Sequence, residues 1–184
     1  MIEATLYFES EGKQNTDPTL NIALERATEL GIRQLVVATT HGYTARRAKE
    51  VFDDAARRII AVSICNAFDH EGWTMSSRER ASLESLGITV LTSLHALGDD
   101  VSEGLDGLAA NRIVRDTLYT FCQGMKVAVE ITLMAADAGL IDMSEEVIAV
   151  AGTGEGADTA VVLKPAYARE FKKLRICEIL AKPR

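Results

Sequence analysis

Gln34-Leu35-Val36-Val37-Ala38-Thr39-Thr40-His41-Gly42-Tyr43-Thr44-Ala45 changes character twice within a few residues. Leu35 to Ala38 is an unbroken apolar run, and such a run fits a strand buried on both faces of a parallel sheet. The strand is predicted over Gln34–Thr39. From Ala45 onward, Ala48, Val51, Phe52 and Ala55 recur at helical spacing. Between strand and helix lies a turn of hydroxyls around one glycine. Strand, short turn and helix in that order are the first half of a parallel crossover unit.

The same alternation extends in both directions. Toward the N-terminus, Leu20, Ala23, Leu24 and Ala27 mark a helix that stops at Gly31. Asp17 is expected as its N-cap, with Pro18 at the first helical position. A polar loop, Glu9–Thr16, precedes it, and a first strand runs from Ala4 to Phe8. Toward the C-terminus, Ile59–Ile64 reads as a strand and Cys65–Met75 as a loop. Ser76 and Glu79 have capping-box spacing at the start of a helix that stops by Gly87. Ile88–Leu91 is a short strand. The Gly-rich segment Thr92–Leu108 is expected to be mostly loop, and helices follow over about 109–121 and 125–138. Val147–Ala151, Thr159–Leu163 and Leu174–Leu180 are the closing strands.

Alternating strands and helices imply an α/β fold with helices on both faces of a largely parallel sheet. The C-terminal end departs from that rule. Only Gly152–Asp158 separates two strands, whereas a parallel crossover needs roughly a dozen residues. These two strands must form an antiparallel hairpin, so the sheet is mixed.

A length of 184 residues suits one domain, 1–184, with a sizeable core. Aromatics make up only 5%, so that core must rest on aliphatic side chains. The formal net charge of -7 disfavours nucleic acid and anionic lipid as partners. Cys65, Cys122 and Cys177 are odd in number and widely spaced, which points to free thiols in a reducing compartment. No apolar run approaches the roughly 18 residues of a membrane span, and no signal peptide is legible. A cytoplasmic chain is the expectation.

Four places can carry chemistry. The turn Thr39–Thr44 joins the carboxyl end of a buried strand to a helix start, where open α/β sheets bind ligands. Free N–H groups and the hydroxyls of Thr39, Thr40 and Thr44 suit a phosphate, and Gly42 allows close backbone approach. The plainer reading is a simple helix cap. Gly152-Thr153-Gly154-Glu155-Gly156-Ala157-Asp158-Thr159 could be a mobile lid or an anion nest, or only a hairpin loop needing positive φ. The helix 125–138 is apolar around most of its circumference, so it should be buried by the sheet or by a partner chain, the latter making a homo-oligomer. On it Lys126, Glu130 and Asp137 form one narrow stripe. That stripe is either a solvated edge with a Lys126–Glu130 pair or, for Glu130, a ligand or loop contact. In the loop Asn66–Trp73, Phe68 and Trp73 could wall a flat ligand or anchor the loop. Adjacent Asp69-His70-Glu71 makes a poor metal site, and no metal is expected. His41 and His95 are the remaining acid-base candidates.

Val36 to Arg46 is similar to the segment of the pyruvate kinase C-terminal domain that grips the phosphate of a sugar-phosphate effector. Val147–Val162 resembles that domain's last hairpin, whose glycine loop closes over the effector. The chain is identified as a member of a family of small archaeal and bacterial proteins like that domain. The most specific parts are Asn15-Thr16, Leu35–Ala45, Val129–Asp137 and Gly156–Val162. The resemblance implies a three-layer α/β/α fold with core strand order 3-2-1-4-5, the last antiparallel. It also implies flavin mononucleotide (FMN), held by its phosphate in Thr39–Thr44 with His41, Gly42 and Tyr43. Asn15, Thr16, Glu130, Gly152, Thr153, Gly156, Asp158 and Thr159 would complete the pocket. His41 stands where the kinase domain has a serine, and the first and last strands are additional. Without the kinase's barrel domain, pyruvate kinase activity is not expected. Three readings stay open: an FMN-binding protein, a module sensing a sugar phosphate or nucleotide, and an enzyme using His41 or Glu130.

Overall fold

The computed structural model describes residues 4–53, 57–97 and 110–184. Residues 98–108 of the expected Gly-rich loop, residue 109 at the start of the helix expected after it, and Ala55 of the second helical stripe lie outside the described residues. The chain order is β1 (Leu6–Phe8), α1 (Thr16–Leu30), β2 (Gln34–Ala38), α2 (Tyr43–Val51), β3 (Arg58–Ser63), α3 (Ser77–Glu84), β4 (Thr89–Thr92), α4 (Ala110–Tyr119), α5 (Gln123–Asp137), β5 (Val147–Ala151), β6 (Thr159–Lys164) and β7 (Arg175–Pro183). Short 3-10 turns occupy Lys13–Asn15, Asn66–Glu71 and Ala168–Lys173.

The strands form one sheet in the order β1-β7-β6-β5-β2-β3-β4. Read from β4 to β6, five consecutive strands therefore run 3-2-1-4-5 when numbered from β2, as the resemblance implies. β2 pairs parallel with β3 and β5, β3 with β4, and β1 with β7. β6 is antiparallel to both its neighbours, with Val150 opposite Ala160 across the hairpin. The short Gly152–Asp158 connection left no other option. The first and last strands pair at one edge, Leu6 beside Ala181.

Helices cover both faces. Leu35 and Val37 of β2 join one apolar cluster with α1 and α2, including Leu20, Ala23, Ala45 and Phe52. Val36 points the other way into a second cluster with α5, including Met125, Val129 and Leu133. This alternation explains the unbroken apolar run, because a strand between two helical layers has no solvent face. α5 is buried along most of its length, as its composition requires, and within this chain. Among the described residues no helix is long and apolar enough to cross a membrane.

The start of α1 corrects one expectation. The helix begins at Thr16 with Asn15 as N-cap, and Asp17 lies inside the first turn. The 3-10 turn before it leads straight into the helix. Pro18 is tolerated at the third position because first-turn N–H groups have no intrahelical acceptor. Asp17 instead accepts from the Arg47 guanidinium of α2 at 2.9 and 3.1 Å. The capping box at α3 forms as its spacing predicts: Glu79 N–H donates to the Ser76 hydroxyl, and Ser76 N–H donates to Glu79 at 2.8 Å.

Candidate functional site

In the strand order, β2 is the point from which the chain leaves toward β3 on one side while β5 lies on the other. The carboxyl ends of β2 and β5 adjoin, since Val37 is paired with Val150. This is a topological switch point, where the loops diverge and leave a crevice. Thr39–Gly42 follows β2 there, and the glycine loop 152–158 follows β5. Tertiary structure thus brings together two stretches more than a hundred residues apart.

The turn after β2 is set by Gly42. Its φ of 89° is in the left-handed region, which disfavours any residue with a Cβ, and an added Cβ would press Leu83 at 3.2 Å. The Thr39 hydroxyl accepts from Gly42 N–H at 3.0 Å and locks the turn. The helix that follows has no side-chain cap, and the N–H groups of Tyr43, Thr44 and Ala45 meet no acceptor among the described residues. The hydroxyls of the half-buried Thr40 and the buried Thr44 likewise take part in no hydrogen bond among those residues. An uncapped helix start with two spare hydroxyls beside it is chemically an anion cradle.

His41 does not face this cradle with its ring. Nε2 lies 3.0 Å from Gly72 O, and Nδ1 lies 3.3 Å from Glu79 Oε1. The Ser76 hydrogen bonds, with His41 adding to them, hold the Glu79 carboxyl below its ordinary value of 4.5. His41 therefore clasps the β2 turn to α3 and to the loop 66–73. In that loop Phe68 stacks on Trp73 with ring centroids 5.9 Å apart, and His95 packs on Phe68 at 5.5 Å. Trp73 is still half exposed.

On the other side of the cradle, the glycine loop is stitched to the segment before α1. Asp158 is fully buried; its Oδ2 accepts from Gly12 N–H at 2.9 Å and Thr153 N–H at 3.1 Å, and its Oδ1 from the Thr159 hydroxyl at 2.8 Å. Ala157 N–H donates to the Thr16 hydroxyl at 3.0 Å, which itself donates to Lys13 O. Asn15 donates to Ser10 O at 2.7 Å. Gly156 is packed so closely that a Cβ would lie 2.4 Å from Thr16 Oγ1, and one on Gly152 would lie 2.8 Å from Ala157 Cα. Thr16, Asp158 and Thr159 thus use their side-chain oxygens in holding the loop in place, while the Asn15 amide holds the segment before α1. The Thr153 hydroxyl is buried without a partner among the described residues.

Glu130 has other partners. It is 2% exposed and accepts from Lys126 Nζ at 2.5 Å and from Leu97 N–H at 3.2 Å. The Lys126–Glu130 pair exists, but it is buried rather than a solvated edge, with Leu97 N–H donating to Glu130 and the Tyr119 ring centroid 5.8 Å from Lys126 Nζ. Glu130 shares no hydrogen bond with either switch-point loop among the described residues. Asp137, the third of the stripe, accepts from Ala168 N–H at the surface. Among the described residues no group of three or more His, Cys, Asp or Glu side chains gathers as a metal site needs.

Lys13 is the residue that sequence reasoning missed. Its Nζ is 3.0 Å from Glu155 on the glycine loop and 4.4 Å from the centroid of Tyr43, the first residue of α2. No local pattern could reveal a cation whose partners are 30 and 142 positions away.

Residues 17–163 match the model of a protein family described as "Pyruvate kinase, alpha/beta domain". Solved structures similar to this chain include a pyruvate kinase from Cryptosporidium parvum, at 15% identity over 82% of this chain and 23% of the kinase, with a TM-score of 0.42. A Cryptosporidium parvum pyruvate kinase in complex with ADP is similar at 17% identity, over 89% of this chain and 24% of that one, with a TM-score of 0.39. This chain thus spans about a quarter of the length of the kinases it matches.

Proposed function

This chain belongs to the pyruvate kinase α/β-domain family, and from that premise we propose that it is a phosphate-ligand binding protein with FMN as the occupant of its switch-point site. The observation that carries the reading is the uncapped start of α2 at the switch point, with the Thr40 and Thr44 hydroxyls unengaged beside it. A phosphate monoester would take the N–H groups of Tyr43, Thr44 and Ala45, with the hydroxyls completing its shell. Gly42 supports the cradle by its conformation, Thr39 by locking the turn, and His41 by fixing the turn from behind.

The donor set fits the phosphate end of FMN. For the ring, the exposed side chains of Tyr43 at the start of α2 and Trp73 in the loop 66–73 are the aromatic candidates. Bound flavin would supply redox chemistry, and the chain's own residues would hold and orient it. A second reading, a module sensing a sugar phosphate or nucleotide without chemistry of its own, would use the same N–H groups and hydroxyls. A cleft of about 230 Å³ lies at Leu30–Ile32 and Glu145–Glu146, and one of about 200 Å³ lies beside α4. Neither borders Thr39–Thr44, and a small phosphate ligand needs no deep slot.

The test is a visible spectrum of the purified protein, then titration with FMN followed by flavin fluorescence. Flavin absorbance, or saturable quenching that Thr40→Ala weakens, supports FMN. A colourless protein that ignores FMN but binds a sugar phosphate with the same Thr40 dependence supports the sensor. Binding of neither defeats the phosphate reading.

A further inference from the structure

A cation beside the first residue of α2 is already paired with a carboxylate of the chain itself. Lys13 Nζ is 3.0 Å from Glu155 Oε2, and the two side chains are 49% and 79% exposed. The same ammonium lies over the ring of Tyr43 at 4.4 Å, which puts it at the helix start. Its backbone has little freedom. Lys13 O accepts from the Thr16 hydroxyl, the adjacent Gly12 N–H donates to buried Asp158, and a Cβ on Gly156 would lie 2.7 Å from Lys13 Cα. Glu155, by contrast, stands in the glycine loop between Gly154 and Gly156, both with positive φ. A held lysine thus pairs with a carboxylate on the loop that faces the cradle.

We propose that Glu155 is a built-in competitor for the ligand: in the free protein it occupies Lys13, and a phosphate monoester displaces it, taking the Lys13 ammonium as its charge partner. The inference rests on the reading of Thr39–Thr44 as a phosphate site. It makes Lys13 a specificity residue that no local motif marks. It also gives the glycine loop a ligand-dependent contact, because Glu155 is released when Lys13 turns to phosphate. A dianionic monoester should win this exchange more readily than a singly charged diester, since it offers the ammonium the greater charge.

The experiment is isothermal titration of the full chain with FMN and, separately, with a sugar phosphate, for the parent, Lys13→Met, Glu155→Gln and the double variant. Circular dichroism confirms that each is folded. Both substituted side chains are exposed, so folding should persist. Glu155→Gln is expected to tighten binding about two- to fivefold, the range of an exposed ion pair. Lys13→Met is expected to weaken it by at least as much. In the Lys13→Met background, Glu155→Gln should bring no further gain, which is the coupling a shared contact produces. An unchanged or weaker affinity for Glu155→Gln in a protein that binds the ligand overturns the competition alone. A gain that persists without Lys13 also overturns it, because that would be a general effect of removing negative charge. If the parent and all variants bind neither ligand, the phosphate reading fails and the competition falls with it.

Discussion

Replacing Lys126 by Met should cost far more than an ordinary surface change. The side chains of Lys126 and Glu130 are only 5% and 3% exposed, so water screens their interaction little. Without the ammonium at 2.5 Å, the Glu130 carboxylate would keep the Leu97 N–H at 3.2 Å as its remaining hydrogen bond among those described here. Breaking a buried pair on one side costs about 3–5 kcal/mol, since the surviving charge stays desolvated. For a chain of this size each kcal/mol lowers Tm by about 2–4 °C, so a fall on the order of 10 °C is expected. The double variant Lys126→Met/Glu130→Gln should recover much of the loss. It removes the orphaned charge and keeps a carbonyl for Leu97 N–H. The assay is urea unfolding of parent, both single variants and the double, at about 0.05 and 0.5 M salt. The single-variant cost should hardly change with salt, as screening acts on exposed pairs. A Lys126→Met cost under about 1 kcal/mol, or a double variant no better than Lys126→Met alone, would refute the reasoning.

Gly124→Ala should destabilise although alanine is the better helix former by about 1 kcal/mol. The new Cβ would lie 2.1 Å from Thr159 Oγ1 and 2.5 Å from Thr159 Cβ, so α5 must move off β6, for a net loss of about 1–3 kcal/mol in the same unfolding assay. Asp158→Asn should loosen the glycine loop by about 1–2 kcal/mol, read as faster amide exchange at Gly12 and Thr153; unchanged exchange there would count against its stitching role. Arg26 donates to both carboxylate oxygens of Glu178 at 2.7 and 2.8 Å, and this hydrogen bonding holds the Glu178 carboxyl below its ordinary value of 4.5. A depressed folded-state value means the stabilisation is fully present above the unfolded value and fades as pH falls through the folded one. Arg26→Met should therefore cost about 1 kcal/mol at neutral pH, and parent and variant should converge in acid; a pH-independent gap would contradict the linkage.

The strands, the helices and the mixed sheet were legible because each rests on local chemistry. Leu35–Ala38 could be read as a doubly covered strand from its own composition, and the Ser76–Glu79 box from its own spacing. The seven-residue Gly152–Asp158 connection excluded a parallel crossover on length alone. The start of α1 was misplaced by two residues at the cap because Asp17-Pro18 is a strong local signal. The 3-10 turn at Lys13–Asn15, which runs straight into the helix, and the Thr16–Ala157 contact across 141 positions override it.

The site divided along the same line. Thr39–Thr44 could be read in sequence as an anion turn, since one turn contains its donors. The side-chain directions could not. His41 turns toward Glu79 and Gly72, and Lys13 toward Tyr43 and Glu155, whereas the Lys126–Glu130 pair could be read from its spacing but its burial could not. Sequence by itself determined which elements form and which turn can hold an anion, because hydrogen bonding and side-chain periodicity act within a few residues. Only the tertiary structure decided which charges meet, because pairing β2 with β5 and β1 with β7 sets neighbours more than a hundred positions apart, and no local free energy encodes that pairing.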